Sequence, residues 1–252
     1  MAFPTLLSLH YSPWSERARW ALDHHGLTYR LIQHAPFLGE RRLRKFVGPH
    51  VERPTVPVLV SEDEVLRDSW DIALYADAHG SAEKLFPPGL EKAMRELAEL
   101  TERTMVETRG LTTAAVLADD AALDESLPRS VPKPLRPLLR PLARYGTRWF
   151  ARKYALDLTE LETQRETLAR GLTTFRERYG ARPYLFERFS YADIVFCSLL
   201  QAVKPVDDRY IRLGPAWRSA WTQPALAAEF ADLIRRRDEL YAVHRGQRRK
   251  PV

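Results

Sequence analysis

The sequence predicts an α/β domain followed by an all-helical region, and three observations carry the prediction. Short apolar runs alternate with helical patterns up to Gly80. A stretch containing Pro87-Pro88 follows at 81–89, with the composition of a linker. Beyond it, every long patterned segment has helical spacing.

Residues 5–11 are short and apolar, as a buried central strand requires. Residues 15–25 place Ala18, Ala21 and Leu22 on one helical face, and Gly26 stands where a helix commonly ends. Residues 28–33 suit a second strand, and the basic segment 37–47 predicts a short exposed helix. Residues 56–60 and 64–67 suit an antiparallel hairpin, and 69–79 a helix closing at Gly80. Further helices are expected over 90–118, 141–154, 158–179, 191–203 and 225–243. The proline-dense stretch 128–141 does not suit one regular helix, because an interior proline removes a donor and crowds the preceding turn. It predicts an elongated connection. The expected division is thus 1–80, a linker at 81–89, and 90–252 with a Pro/Arg-rich insertion near 128–153.

The 252 residues are 45% hydrophobic and 29% charged, enough for a globular chain with a sizeable core. No run of 18 apolar residues predicts a spanning helix. Neither a charged leader nor a small-residue cleavage site precedes the first strand, so no signal peptide is expected. The single cysteine, Cys197, lies in an apolar run and is expected in the core; its solitude excludes an intramolecular disulfide and suits a reducing cytoplasm. Lysine and arginine (39) outnumber aspartate and glutamate (33). Eight basic residues and no acidic ones lie between Arg129 and Lys153, and four more basic residues between Arg245 and Lys250. The preferred reading is a solvated basic face, with weak contact to an anionic membrane through 129–153 as the other. No helix-turn-helix, zinc-finger or RNA-recognition signature points to nucleic acid. No metal is expected, because the seven histidines are scattered and His24-His25 lack ligand spacing.

Four motifs carry chemistry or diagnosis. Ser12-Pro13-Trp14-Ser15-Glu16-Arg17-Ala18-Arg19 opens a helix directly after the first strand. Val56-Pro57-Val58-Leu59 sets a proline where strands normally exclude one. Asp68-Ser69 places a carboxylate and a hydroxyl at a helix start, with Ser69 suited to the N-cap. Far downstream, Phe189-Ser190-Tyr191-Ala192-Asp193-Ile194 has a capping box, with Ser190 and Asp193 satisfying each other's amides and Phe189 and Ile194 as the hydrophobic staple.

These four motifs, in this order, resemble the glutathione S-transferase superfamily, in its serine-type, cytosolic-like form. The resemblance implies an α/β N-terminal thioredoxin-like domain followed by an all-α helical C-terminal domain, which the expected β-α-β-α-β-β-α order also matches. It implies a transferase using glutathione as co-substrate, in which Ser12 keeps the thiol ionised for attack on, or isomerisation of, a small hydrophobic electrophile. Ser15, one turn along, and Tyr11 are alternatives; Tyr11 ranks third because strand alternation would aim it away from Ser12. By the same resemblance, the bond between Val56 and Pro57 is cis, Val56 and Pro57 meet the cysteinyl backbone, and Asp68 and Ser69 meet the γ-glutamyl end. Arg53 is a candidate for the glycyl carboxylate, with His50 and Lys45 as others. Trp14, Met105, Thr108 and Arg109 would line the electrophile pocket. A homodimer and a role in detoxification follow by resemblance only. The competing expectation is a non-catalytic protein of the same fold, kept for ligand binding or assembly. The missing cysteines at positions 12 and 15 argue against disulfide reduction.

Overall fold

The sheet is built from four short strands with helices on both faces. The computed structural model describes residues 3–128 and 130–246. Arg129, which opens the basic segment, and Arg248, Arg249 and Lys250 of the basic tail lie outside the described residues.

The first strands and helices follow in the expected order: β1 (Thr5–Ser8), α1 (Pro13–His24), β2 (Arg30–Gln33), α2 (Glu40–Val47), β3 (Val58–Val60), β4 (Val65–Leu66) and α3 (Ser69–His79). The spatial order is β2-β1-β3-β4, with β1 parallel to β2 and antiparallel to β3, and β3 antiparallel to β4. Alternation along the strands divides the core. Leu6 and Leu59 meet Ala18, Ala21 and Leu22 of α1 and Ile72, Ala73 and Ala76 of α3. Leu7 and Val58 turn to the opposite face and meet Leu43, the one buried residue of α2. The thioredoxin-like layout read from the sequence is therefore present.

After it come α4 (Glu91–Ala118), α5 (Asp120–Ser126), α6 (Arg136–Lys153), α7 (Leu161–Tyr179), α8 (Tyr191–Leu199), α9 (Pro215–Trp221), α10 (Pro224–Glu229) and α11 (Ala231–Leu240). Three expectations are corrected. Helices α5 and α9 were missed, being seven residues each and too short for a periodic signal. The C-terminal helix expected as one piece breaks at Phe230, which ends α10 and precedes α11. Helix α6 begins at Arg136, not near Pro141. Pro137 falls in its first turn, where no donor is lost, and Pro141 is carried in the interior. Arg140 and Arg144 then bind Asp120 and Asp124 of α5 at 2.8–3.1 Å, which holds the proline-containing turns in helical form. Among the described residues, no helix is long and apolar enough to cross a membrane.

The capping box is formed. The Asp193 carboxylate accepts from Ser190 N (2.9 Å), the Ser190 hydroxyl (3.0 Å), Leu185 N (3.0 Å) and the Tyr179 hydroxyl (2.8 Å). Cys197 is fully buried, and burial, followed by the charge of Asp193, pushes its thiol well above the ordinary range. It is a core residue.

Helix α1 joins the two parts through buried charge. Glu16 binds Arg19 at 2.7 Å and Arg245, near the chain's C-terminal end, at 2.7 Å, and all three side chains are 3% exposed. Burial favours the protonated Glu16, but Arg245 and Arg19 outweigh it and hold the carboxyl below the usual glutamate range. Its contribution to stability is therefore complete above the unfolded value of about 4.3 and is lost as pH falls through the lower folded value. Denaturant titrations from pH 7 to pH 3 should show this loss. Glu16→Gln should already be about 3 kcal/mol less stable at pH 7, because it leaves two buried guanidiniums short of a partner, and should lose less on acidification. The end of α3 is equally tight: a Cβ on Gly80 would lie 2.2 Å from the His25 Cβ. Gly80→Ala should lower stability by about 1–3 kcal/mol in the same titrations.

Candidate active site

The site begins where β1 ends. From Leu9 to Ser12 the chain turns, and α1 itself holds the turn. Ser12 N donates to Leu9 O at 3.0 Å, Leu9 N donates to the Ser15 hydroxyl at 3.1 Å, and Arg19 donates to the Ser8 hydroxyl and to His10 O. Ser12 is the N-cap of α1, with Pro13 in the first turn. Its hydroxyl accepts from Ser15 N at 3.4 Å, long for such a bond, and its own proton is given to none of the described residues. That leaves a donor at the positive end of a helix.

The two alternatives to Ser12 have different surroundings. The Ser15 hydroxyl is fully buried and occupied by Leu9 N, so it closes the turn and does not line the cleft. Strand alternation predicts Tyr11 facing away from Ser12, but the strand ends at Ser8, and both residues line the cleft. The Tyr11 ring packs edge-on against Trp217 at 4.7 Å and Trp221 at 5.9 Å. Burial, and secondarily Tyr154, pushes its phenol far above the ordinary tyrosine range, so it stays protonated.

Three other segments converge on Ser12 around a cleft of about 460 Å³. The bond between Val56 and Pro57 is cis, and both residues line the cleft. Asp68 and Ser69 reach it from the start of α3. The sequence suggested Ser69 as the cap, but Asp68 is the N-cap, accepting from Trp70 N at 2.7 Å, and Ser69 is the first helical residue. Arg53 is exposed and lies outside the lining, as do His50 and Lys45; Arg67 lines the cleft instead.

The far wall comes from α4, where Met105, Thr108 and Arg109 line the cleft together with Trp14 of α1. Trp14 is held by its indole nitrogen, which donates to Glu102 at 2.5 Å. Arg109 lies over two rings, 4.3 Å from the centre of Trp14 and 4.4 Å from that of Tyr154. Burial lowers its pKa from the ordinary arginine value, a cation partly stripped of water.

The remaining wall was not foreseen. Phe150, at the end of α6, and Tyr154 after it line the cleft, as do Trp217 and Trp221 of α9 and Phe37 from the loop before α2. Lys153 ties the end of α6 to the start of α2 and to the segment before β3, binding Glu40 at 2.8 Å and donating to Pro54 O at 2.9 Å. Phe37 meets the rings of Tyr145 and Trp149 beside it. The spacing of Trp217 and Trp221 hinted at a shared helical face, but nothing local showed that the face meets residue 11. Among the described residues, no group of His, Cys, Asp or Glu is placed to hold a metal ion.

Residues 11–79 match the family described as glutathione S-transferase, N-terminal domain. The resemblance read from the sequence is thus borne out over that segment. Solved structures extend the likeness to the whole fold. A glutathione S-transferase from Methylobacillus flagellatus with glutathione bound is 20% identical, each chain covered to 94%, at a TM-score of 0.56. A glutathione transferase from Phanerochaete chrysosporium is 16% identical, covering 97% of this chain and 98% of that one, at 0.63. A maleylacetoacetate isomerase from Anaeromyxobacter dehalogenans with glutathione in its active site is 21% identical, covering 96% and 91%, at 0.51. No curated protein sequence matches the chain. The chain thus matches the glutathione S-transferase N-terminal domain over residues 11–79 and shares its overall fold with these solved transferases.

Within this transferase fold, Ser15 reads as a structural residue. Ser15→Ala should cost about 1–2 kcal/mol by chemical denaturation, through the Leu9 N–H it leaves buried without a partner.

Proposed function

We propose that the protein is a glutathione transferase in which Ser12 holds the glutathione sulfur as a thiolate for attack on, or isomerisation of, a small electrophile. One observation carries the reading: the uncommitted Ser12 hydroxyl at the start of α1 shares a cleft with Val56, Pro57, Asp68 and Ser69.

The chemistry follows from what the tripeptide presents. A free thiol near pKa ~8.5 is mostly protonated at neutral pH, and the thiolate is the nucleophile. A hydroxyl donor and the positive end of α1 both favour the charged sulfur. The Val56 backbone would pair with the cysteinyl backbone as an added strand. Ser69 and Asp68 would receive the γ-glutamyl end, whose carboxylate suits the free amides of the α3 terminus. With the sulfur so held, its proton leaves to water and its lone pair forms the new carbon–sulfur bond. At an activated halide the leaving group departs with its bonding pair. At a conjugated double bond the π pair moves toward the activating carbonyl and is then protonated. In an isomerisation the sulfur adds, the adduct rotates about the former double bond, and the thiolate is expelled again.

The competing reading, a ligand-binding protein of the same fold, separates on a single substitution. Ser12→Ala should reduce kcat/KM with 1-chloro-2,4-dinitrobenzene about 100-fold while glutathione affinity by calorimetry changes little. The ultraviolet thiolate absorbance of bound glutathione should shift to higher pH in the variant. Glutathione binding without turnover in the unaltered protein would favour the ligand-binding reading. No glutathione binding at all would remove the transferase reading and leave a protein of this fold with another ligand or an assembly role.

A further inference from the structure

We propose that the second substrate carries an anionic group, a carboxylate on an aromatic or apolar body, and that Arg109 receives that group inside the cleft. This rests on the reading above that the cleft beside Ser12 is the transferase site.

Arg109 is an unusual occupant of such a wall. Its neighbours in the cleft are aromatic: the guanidinium lies over the rings of both Trp14 and Tyr154, and Phe150, Trp217 and Trp221 line the same space. The acid whose charge reaches it, Glu102, is engaged elsewhere, accepting from the Trp14 indole at 2.5 Å and lying 3.6 Å from Arg17. Among the described residues, the Arg109 guanidinium has no carboxylate partner. Compare Arg19, Arg140, Arg176 and Arg245, each paired to an acid at 2.6–2.8 Å. A guanidinium cannot shed its proton to relieve burial, so it stays a cation in a partly dry setting. Two ring faces stabilise that cation but take none of its N–H donors. The donors remain for a ligand, and a planar fork of N–H groups matches a carboxylate bidentately.

Position supports the assignment. Trp14 lies two residues past Ser12 and bridges the two groups, one flank toward Arg109 and its own segment beginning at the sulfur-binding hydroxyl. An electrophile stacked among these rings would present one end to the sulfur and its charged end to Arg109. In that reading the γ-glutamyl end of glutathione goes to Asp68 and Ser69 and its cysteinyl backbone to Val56, residues of the cleft lining outside α4.

The decisive comparison uses one electrophile with and without its charge: ethacrynic acid and its methyl ester. Both are conjugated ketones; glutathione sulfur adds to the terminal methylene, the carbon–carbon π bond breaks, and the α-carbon takes a proton from water. In the unaltered protein, kcat/KM should favour the acid over the ester by at least about tenfold. Arg109→Gln should erase that preference, mainly through KM for the acid, and Arg109→Lys should restore part of it. Glutathione affinity by calorimetry should stay within about twofold in both variants. A second arm needs no glutathione: fluorescence titration with 8-anilinonaphthalene-1-sulfonate should weaken about tenfold in Arg109→Gln. Equal rates for acid and ester, or equal loss on both in Arg109→Gln, would overturn the proposal, as would a loss confined to glutathione affinity. If the protein fails to bind glutathione, the transferase reading falls by itself, and the fluorescence arm alone decides for or against an anion site at Arg109.

Discussion

The pairing of Glu16 with Arg19 and Arg245 is the contact around which the two halves of the molecule are organised. A carboxylate buried in α1 is tolerable only when cations meet it, and here one comes from the same helix and one from the far end of the chain. Arg19, so held, also donates to Ser8, Leu9 and His10 and thereby shapes the turn that ends at Ser12. Arg17, on another face of the helix, donates to Ser198 of α8 and approaches Glu102 of α4. The charges of α1 therefore fix both the docking of the helical region and the loop that presents the candidate catalytic hydroxyl.

The same arrangement explains why Ser12 and Ser15, three residues apart in one helix start, have different prospects. Ser15 faces back into the turn, where a buried amide takes its oxygen. Ser12 faces the cleft with only a long bond to Ser15 N. One hydroxyl is spent on folding and the other is available to a ligand. Tyr11 joins Ser12 in the cleft because the strand has already ended, but its partly buried ring is engaged with the α9 tryptophans.

The basic, proline-rich segment has a part that its composition concealed. Its arginines do not all face solvent: Arg140 and Arg144 meet the acids of α5, and Lys153 reaches across to Glu40 and Pro54. The helix they hold contributes Phe150 to the cleft and sets Tyr154 against Arg109. A run of positive charge is thus partly neutralised in forming a wall.

Much of the fold was legible because it rests on local patterns. The apolar runs at β1 and β3, the helical spacing of α1, α3, α4 and α7, and the Ser190–Asp193 capping box each depend on residues close in sequence. The helix starts at Ser12 and at Asp68-Ser69 were legible for the same reason, whereas grouping them with Val56 and Pro57 was an expectation from family resemblance. Tertiary structure decided the rest. Helices α5 and α9 are too short for a period and exist through their packing on α4 and α6. The cap of α3 passed from Ser69 to Asp68, and Arg53 gave way to Arg67 at the cleft. The aromatic setting of Arg109 assembles from residues 14, 109 and 154, whose separations along the chain carry no signal. Local order is encoded by neighbours in sequence, whereas the chemistry of a cleft depends on which distant surfaces close around it, and here buried ion pairs and ring contacts made that choice.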